Sequence, residues 1–216
     1  YVNLFVFVFM IGACLSQGRA QTKSAVSYKN PVVDIAMPDP TVIKAADGYF
    51  YVYATESTRN VPIMKSKDLV EWTYCNTAFT NKTRPRFEPK AGIWAPDINY
   101  INGKYVLYYA MSVWGGEQTC GIGVATANSP QGPFTDHGKM FRSNEIGVQN
   151  SIDPSLLQYE GRNYLVWGSF RGIYVIELTT DGLSIMPGAK KKRIAGTAFE
   201  AVYIHKHDDY YYMFAS

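Results

Sequence analysis

A short pattern of residues recurs four times along this 216-residue chain. In each copy a tight turn is followed by an aromatic-rich strand. In three copies an acidic residue, Asp39, Asp153 or Glu200, stands eight or nine positions before the turn, and in the second copy Trp94 takes that offset. Repeats of about 50 residues that each hold several short strands are typical of a β-propeller or a related array. The recurrence therefore predicts an all-β fold.

The repeats have the length and composition of propeller blades. Aromatic residues make up 15% of the chain and occur in alternating runs such as YFYVYA and KYVLYYA, which favour half-buried β-strands. Successive copies are 55, 59 and 47 residues apart, which is enough for four antiparallel strands each. The predicted repeats are 34–90, 91–148, 149–195 and the start of a fourth from 196. About three and a half blades cannot close a ring, so the chain is expected to be an incomplete part of a propeller.

An apolar run over residues 2–15, followed by the small and polar stretch SQGRAQTKS, predicts an export signal. Two cleavage sites fit. A cut before Gln21 follows a small-x-small pattern, whereas a cut before Cys14 resembles a bacterial lipoprotein signal and would leave a lipid anchor on that cysteine. We therefore predict a signal segment at 1–24, a single β-propeller domain at 25–216, and a secreted, periplasmic or cell-surface location.

Charge and cysteine usage exclude several other classes of function. The net charge of +3 comes from interspersed residues of both signs, which argues against a nucleic-acid partner. Cys75 and Cys120 lack the spacing of a zinc site, so we assign no metal ligand in this sequence. Two states of these cysteines stay open, a disulfide in an oxidising compartment or two free thiols.

The recurring acids have chemical significance because the innermost strands of a propeller surround one axis. Equivalent residues of successive blades then face a shared pocket, where like charges raise the pKa of one carboxyl. A carboxylate beside a protonated carboxyl is the pair that cleaves glycosidic bonds. The alternative is that Asp39 and Asp153, which each precede proline, only form turns. Trp94 is either a core residue or a flat wall for a sugar ring.

Five strings carry a family resemblance: MPDPTVI, WAPDINYINGKYVLYYAMS, NSIDPSLL, LVWGSFRGIYVIEL and FEAVYIHKHDDYYYMFAS. Together they resemble glycoside hydrolase family 43, and most closely its endo-1,5-α-L-arabinanases, from about Pro31 to the last residue. The resemblance implies a five-bladed β-propeller and hydrolysis with inversion at the anomeric carbon. One departure is Pro38, which stands where arabinanases often have a histidine before the first Asp-Pro.

The resemblance also implies roles for individual residues. Asp39 would be the general base, Glu200 the general acid, and Asp153 the residue that orients this acid and raises its pKa. The substrate cleft would be lined by Trp94, Asn150, Ser151 and Phe170. A calcium ion in the central channel is expected in the complete protein, bound through a histidine of a later blade, and no ligand for it is assigned here.

The hypothesis that follows is an exported, inverting hydrolase that cuts α-1,5-linked L-arabinan. The same motifs allow an exo-acting α-L-arabinofuranosidase or β-xylosidase of the same family. A third alternative is a carbohydrate-binding propeller without catalysis, but that function would leave the three aligned acids without a purpose.

Overall fold

The computed structural model describes residues 27–216, which form fourteen β-strands and one short helix, α1 (Ser143–Ile146). Over this part of the chain no helix has the length and apolar character that a membrane span requires. The predicted signal segment at 1–24, including Cys14, lies outside the described residues.

The strands form three four-stranded antiparallel sheets and one hairpin. Blade one consists of β1 (Thr41–Lys44), β2 (Phe50–Tyr53), β3 (Pro62–Ser66) and β4 (Thr73–Thr77). Blade two consists of β5 (Gly92–Ile101), β6 (Lys104–Ser112), β7 (Gly121–Ala127) and β8 (Thr135–Arg142). Blade three consists of β9 (Ser155–Tyr159), β10 (Arg162–Trp167), β11 (Ile173–Glu177) and β12 (Lys192–Ala195). The last hairpin pairs β13 (Tyr203–His207) with β14 (Tyr210–Phe214).

Within each sheet the strands are adjacent in sequence order, so every blade is a simple meander. This arrangement confirms the predicted all-β propeller architecture of three blades and the first hairpin of a fourth. Each sheet falls within one of the repeats expected from the sequence.

The turn between β5 and β6 shows how local sequence sets the register of a blade. Asn102 and Gly103 both have positive φ, 47° and 81°, as a two-residue type I′ turn requires. Ile101 consequently pairs with Lys104, and the ladder continues to Gly92 and Ser112, with one irregularity between Trp94 and Asp97. That irregularity lies where the strand approaches the axis.

The prediction of half-buried strands is wrong for β6, whose two faces are both buried. Val106 and Tyr108 pack against Leu165 and Trp167 of blade three, whereas Leu107 and Tyr109 on the opposite face join the cluster shared with blade one. Alternate side chains of a strand point to opposite faces, and a blade in a propeller has a neighbour on each side. The aromatic alternation therefore reflects two cores and not one core and a solvent face.

Because Leu107 is fully buried between blades one and two, we expect Leu107→Ala to lower the free energy of unfolding by about 2–5 kcal/mol through lost burial and a cavity. Urea unfolding followed by circular dichroism would measure the change. The matched control is Leu69→Ala, whose side chain is 45% exposed and which should stay near the wild-type value. Equal effects of the two variants would contradict a core between the blades.

Candidate active site

The three recurring acids meet at one cavity. A space of about 610 Å³ is lined by Asp39, Asp153 and Glu200, together with Trp94 and the loop between β6 and β7. The acids reach it from the segments that precede β1, β9 and β13. Residues more than 160 positions apart in sequence thus face the same solvent-filled space.

Each innermost strand has one residue of unusual backbone conformation, just before the strand in β1, β9 and β13 and within the strand in β5. Asp39, Ala95, Asp153 and Ala201 have φ values of 49°, 41°, 56° and 52°, in the left-handed region that residues other than glycine rarely adopt. We call these four the pivot residues. All four line both the cavity of the three acids and a second space of about 420 Å³ along the central channel. The pivot residues therefore form the floor that separates the two spaces.

The pivot residues show which positions of the four repeats are structurally equivalent. Asp39 and Asp153 are pivots themselves, but Trp94 and Glu200 each stand one position before a pivot. The expectation that all four occupy equivalent places is therefore wrong by one residue for Trp94 and Glu200. The offsets of Trp94 and Glu200 were counted to the first residue of their turns, Asn102 and Asp208, whereas that of Asp153 was counted to the second residue of its turn, Gly161, as the strand pairings show. All four side chains nevertheless line the same cavity.

The carboxylate of Asp39 is held by a residue that sequence reasoning missed. Thr55, just after β2, donates a hydrogen bond from Oγ1 to Oδ2 of Asp39 at 2.6 Å. The same hydroxyl accepts a hydrogen bond from the backbone N–H of Ala95 at 2.6 Å. The backbone N–H of Thr55 in turn donates to the carbonyl of Pro38 at 2.9 Å. Thr55 thus fixes Asp39 relative to blade two and leaves the other carboxylate oxygen available.

Glu200 is positioned by the loop that follows β10. The buried Ser169 donates a hydrogen bond from Oγ to Oε2 of Glu200 at 2.9 Å. This loop is tight, because a Cβ on Gly168 would come within 2.2 Å of the carbonyl oxygen of Gly172. Glu200 is also paired through its backbone with Ser216, by two hydrogen bonds of 3.1 Å. The GSFRG string therefore acts through the serine that holds the acid as well as through Phe170.

Asp153 is the cavity acid with a clearly altered affinity for protons. Burial raises the pKa of Asp153 to about 7, and the nearby carboxyls of Glu200 and Asp39 act in the same direction. A hydrogen bond from the backbone N–H of Ala201 to Oδ2 at 3.2 Å opposes this rise. Asp153 therefore retains its proton well above the pH at which an exposed aspartate loses it.

Asp97, the acid of the second repeat, belongs to the channel and not to the cavity. Its carboxylate accepts hydrogen bonds from the backbone N–H of Leu156 and from Nδ2 of Asn99, both at 2.7 Å. A weaker contact of 3.5 Å joins it to Oγ1 of Thr41. Burial raises the pKa of Asp97 to about 6. Asp97 thus joins blades one, two and three beneath the pivot residues.

Two indole rings form one wall of the cavity. Trp94 lies against Trp114 with ring centroids 5.6 Å apart, and Trp114 is 93% exposed. The sequence prediction included Trp94 but missed Trp114, which lies in the loop after β6, outside the repeated pattern. A large apolar ring left in solvent beside a cavity is suited to stacking against a flat ligand such as a sugar ring.

The other predicted cleft residues separate into two groups. Phe170 and Asn150 line the cavity. Ser151 does not, because it is fully buried, donates to the carbonyl of Val148 at 2.8 Å and accepts from Nε1 of Trp167 at 3.1 Å. Its position supports the loop beneath the cavity. Neither Cys75 nor Cys120 is in a disulfide, so of the two states left open the structure has free thiols.

Within residues 27–216, no cluster of three or more His, Cys, Asp or Glu side chains is placed to hold a metal ion. A calcium ion in the complete protein, bound through a histidine of a later blade, stays a prediction.

Comparison with known proteins agrees with this geometry. Residues 28–216 match the sequence model of glycosyl hydrolases family 43. The chain belongs to this family. It is 35% identical over 192 residues to the extracellular endo-α-(1→5)-L-arabinanase 1 of Bacillus subtilis, an alignment that covers 82% of this chain and 58% of the relative. The chain thus spans somewhat more than half the length of that family 43 relative.

Solved structures show the same fold. The native arabinanase of Bacillus subtilis superposes with a TM-score of 0.74 at 32% identity, covering 85% of this chain and 66% of that protein. An exo-1,5-α-L-arabinanase from a bovine ruminal metagenomic library superposes with a TM-score of 0.72 at 30% identity, covering 88% and 67%. The described blades therefore correspond to part of the five-bladed propeller of family 43.

The raised pKa of Asp153 predicts a pH-dependent contribution to stability. The folded state binds this proton more tightly than the unfolded state, so the contribution is fully present below about pH 4 and is lost as the pH rises to about 7. Asp153→Asn does not titrate and keeps an acceptor for Ala201. We expect the free energy of unfolding of the wild type, relative to this variant, to fall by roughly a few kcal/mol over that interval.

Urea unfolding of both proteins at several pH values between 4 and 8 would measure the difference. Asp208→Asn, at the exposed β13–β14 turn, controls for the loss of a surface carboxyl. A constant difference between wild type and Asp153→Asn across this range would contradict the retained proton.

Proposed function

We propose that the protein hydrolyses α-1,5-linked L-arabinan with inversion of configuration, using Asp39 as general base and Glu200 as general acid. The observation that carries the proposal is the convergence of Asp39, Asp153 and Glu200 on one cavity in a family 43 chain. The arabinanase names of its relatives support arabinan as the substrate.

The base is prepared by the hydrogen bond from Thr55. One oxygen of Asp39 accepts this bond, and the other is left to take a proton from the attacking water. Inversion requires that the water lie between the base and the anomeric carbon, on the side opposite the departing oxygen. Inversion by this pair therefore requires the Asp39 and Glu200 carboxyls to lie about 6.5–9.5 Å apart, with room for that water.

The acid acts on the departing oxygen, from the face of the sugar opposite to the base. Ser169 holds Oε2 of Glu200, so that Oε1 can deliver its proton to the departing glycosidic oxygen. We assign Asp153 to modulating and orienting Glu200, because the two carboxyls interact electrostatically and Asp153 binds the backbone of the next residue, Ala201. Because burial raises the pKa of Asp153 to about 7, its carboxyl carries only part of a negative charge near neutral pH, which limits the charge that the cavity must hold.

Substrate binding is assigned to the aromatic wall and the opposite loop. Trp94 and Trp114 offer stacking surfaces for successive sugar rings, and Phe170, which is 45% exposed, faces them across the cavity. Asn150 is anchored to the carbonyl of Ser169 at 3.1 Å and holds this side of the cavity in place.

An exo-acting enzyme is the second candidate, favoured by the superposition on the ruminal exo-1,5-α-L-arabinanase. Early products from linear arabinan distinguish the two, since an endo-enzyme releases mixed oligomers and an exo-enzyme releases one short product. Activity on nitrophenyl β-xyloside alone would favour a β-xylosidase. Retention on arabinan without any product would favour a binding protein.

Export is part of the proposal. The apolar run before residue 16 and the extracellular naming of the Bacillus subtilis relative support it. Cell fractionation would locate the protein in the medium, the periplasm or the envelope. Release from the envelope by Cys14→Ser would identify a lipid anchor, and a cytoplasmic protein would contradict export.

Replacing either catalytic carboxyl by its amide should nearly abolish turnover. We expect Asp39→Asn and Glu200→Gln each to lower kcat on linear arabinan by about 10²–10⁴-fold, the usual contribution of general acid–base catalysis. Reducing-sugar release measures kcat, and unfolding curves verify that each variant is folded. The exposed Asp208→Asn should retain wild-type activity. Full activity in either cavity variant would refute the role given to that residue.

Thr55 should affect turnover more than binding. Thr55→Val keeps the side-chain shape but removes the hydroxyl between Asp39 and Ala95, so kcat should fall about 10- to 100-fold with little change in KM. Thr55→Ser restores a hydroxyl and should recover most of the rate. If the serine variant were as slow as the valine variant, packing and not hydrogen bonding would explain the loss.

A further inference from the structure

A further cleft, distinct from the cavity and from the channel space, is formed by segments of blades one and two. It encloses about 440 Å³ and is lined by the loop that leads into β5, by Arg59 and by Met111. No residue lines both this cleft and the cavity of the three acids. The family resemblance assigned no role to it.

The cleft carries positive charge that internal ion pairs do not neutralise. Its two buried charged residues are compensated, since Arg84 pairs with Glu56 at 2.8 Å and Glu88 pairs with Arg142. Three exposed cationic residues remain along the rim: Arg59, Arg86 and Lys90. In the part of the chain that the structure describes, none of these three has a carboxylate within ion-pair distance.

The two rim arginines are held in place by one residue. Nε of Arg59 donates to Oδ1 of Asn81 at 2.9 Å, and a terminal nitrogen of Arg86 donates to the backbone carbonyl of Asn81 at 2.8 Å. Further N–H groups on both guanidinium groups remain to bind a ligand. A planar guanidinium with two such donors matches the geometry of a carboxylate.

The cleft is close to the aromatic wall of the cavity. Ala91 and Met111 line the cleft, whereas Trp94 and Ser112 line the cavity, on the paired strands β5 and β6. The three residues from Ala91 to Trp94 cover about 10 Å of extended chain. Binding of one polymer at both sites therefore requires that it leave the cavity over Trp94 and continue along this short segment toward the cleft.

We propose that this basic cleft binds the carboxylates of an acidic polysaccharide, such as a uronic-acid chain, to which the neutral substrate is attached. The proposal rests on the proposed function, because it requires a carbohydrate in the neighbouring cavity. The cleft recruits the charged portion of the polymer while the cavity receives its neutral branch. Exposed ion pairs of this kind are weak singly and are screened by salt.

The test replaces all three cations by glutamine, in the variant Arg59→Gln/Arg86→Gln/Lys90→Gln. With arabinan attached to polygalacturonate, KM should rise about tenfold in low salt, since each exposed ion pair contributes only modestly. With neutral linear arabinan, kcat and KM should stay unchanged. The KM advantage of the wild type on the acidic substrate should disappear in 1 M NaCl.

A matched control removes the same charge elsewhere. Lys190→Gln/Lys191→Gln/Lys192→Gln alters an exposed basic run at the start of β12 and should leave KM for the acidic substrate at the wild-type value. An equal rise in both triple variants would show that net charge, and not this cleft, attracts the polymer, and would overturn the proposal. An unchanged KM in the cleft variant would overturn it too.

A direct binding measurement tests this proposal independently of the proposed function. Calorimetric titration with oligogalacturonate alone should show binding to the wild type that the cleft variant loses, whether or not arabinan is cleaved. If the folded wild type did not bind oligogalacturonate in low salt, the proposed role of the cleft would be refuted. Absence of arabinan cleavage with binding intact would refute only the proposed reaction.

Discussion

The site depends on the left-handed backbone of the four pivot residues. In an ordinary strand, consecutive side chains point to opposite faces. At the pivots this rule fails, because Asp39 with Pro38, and Glu200 with Ala201, line the same cavity in pairs. The repeat can therefore present a functional side chain from the pivot or from the residue before it. Such conformations cost about 1–3 kcal/mol each and persist only where the surrounding structure enforces them. The hydrogen bonds from Ala95 to Thr55 and from Ala201 to Asp153 are two such restraints.

Asp97 shows how the pivots are supported from below. Its carboxylate accepts hydrogen bonds from blade three and from its own strand, with a longer contact to Thr41 of blade one. A buried carboxylate that accepts several hydrogen bonds thus joins segments of three blades. Burial at this location raises the pKa of Asp97. The second repeat thus uses its acid for structure, and its cavity position is filled by Trp94.

The sequence predicted the parts of the protein that repeat. Strand-turn-strand periodicity identified the blades, and convergence of Asp39, Asp153 and Glu200 followed from the geometry of a propeller. Thr55, Ser169 and Trp114 were missed because they lie in segments whose positions depend on contacts between blades. Ser151 was placed in the cleft by its motif neighbours, yet its hydroxyl is committed to Val148 and Trp167. Periodicity fixes which residues approach the axis, but not which side chains hold them there.

The buried ion pair between Arg84 and Glu56 lies between the basic cleft and the residues that support the cavity. Glu56 directly follows Thr55, and its backbone N–H donates to the carbonyl of Ile93 at 3.1 Å, one residue before Trp94. Arg84 also donates to Asn60 at 2.8 Å, on the cleft side. Removing one partner of a buried pair typically costs about 3–5 kcal/mol, because the other charge is left without compensation. The Arg84–Glu56 pair and the hydrogen bond from Glu56 to Ile93 therefore join blades one and two beside Thr55 and Trp94.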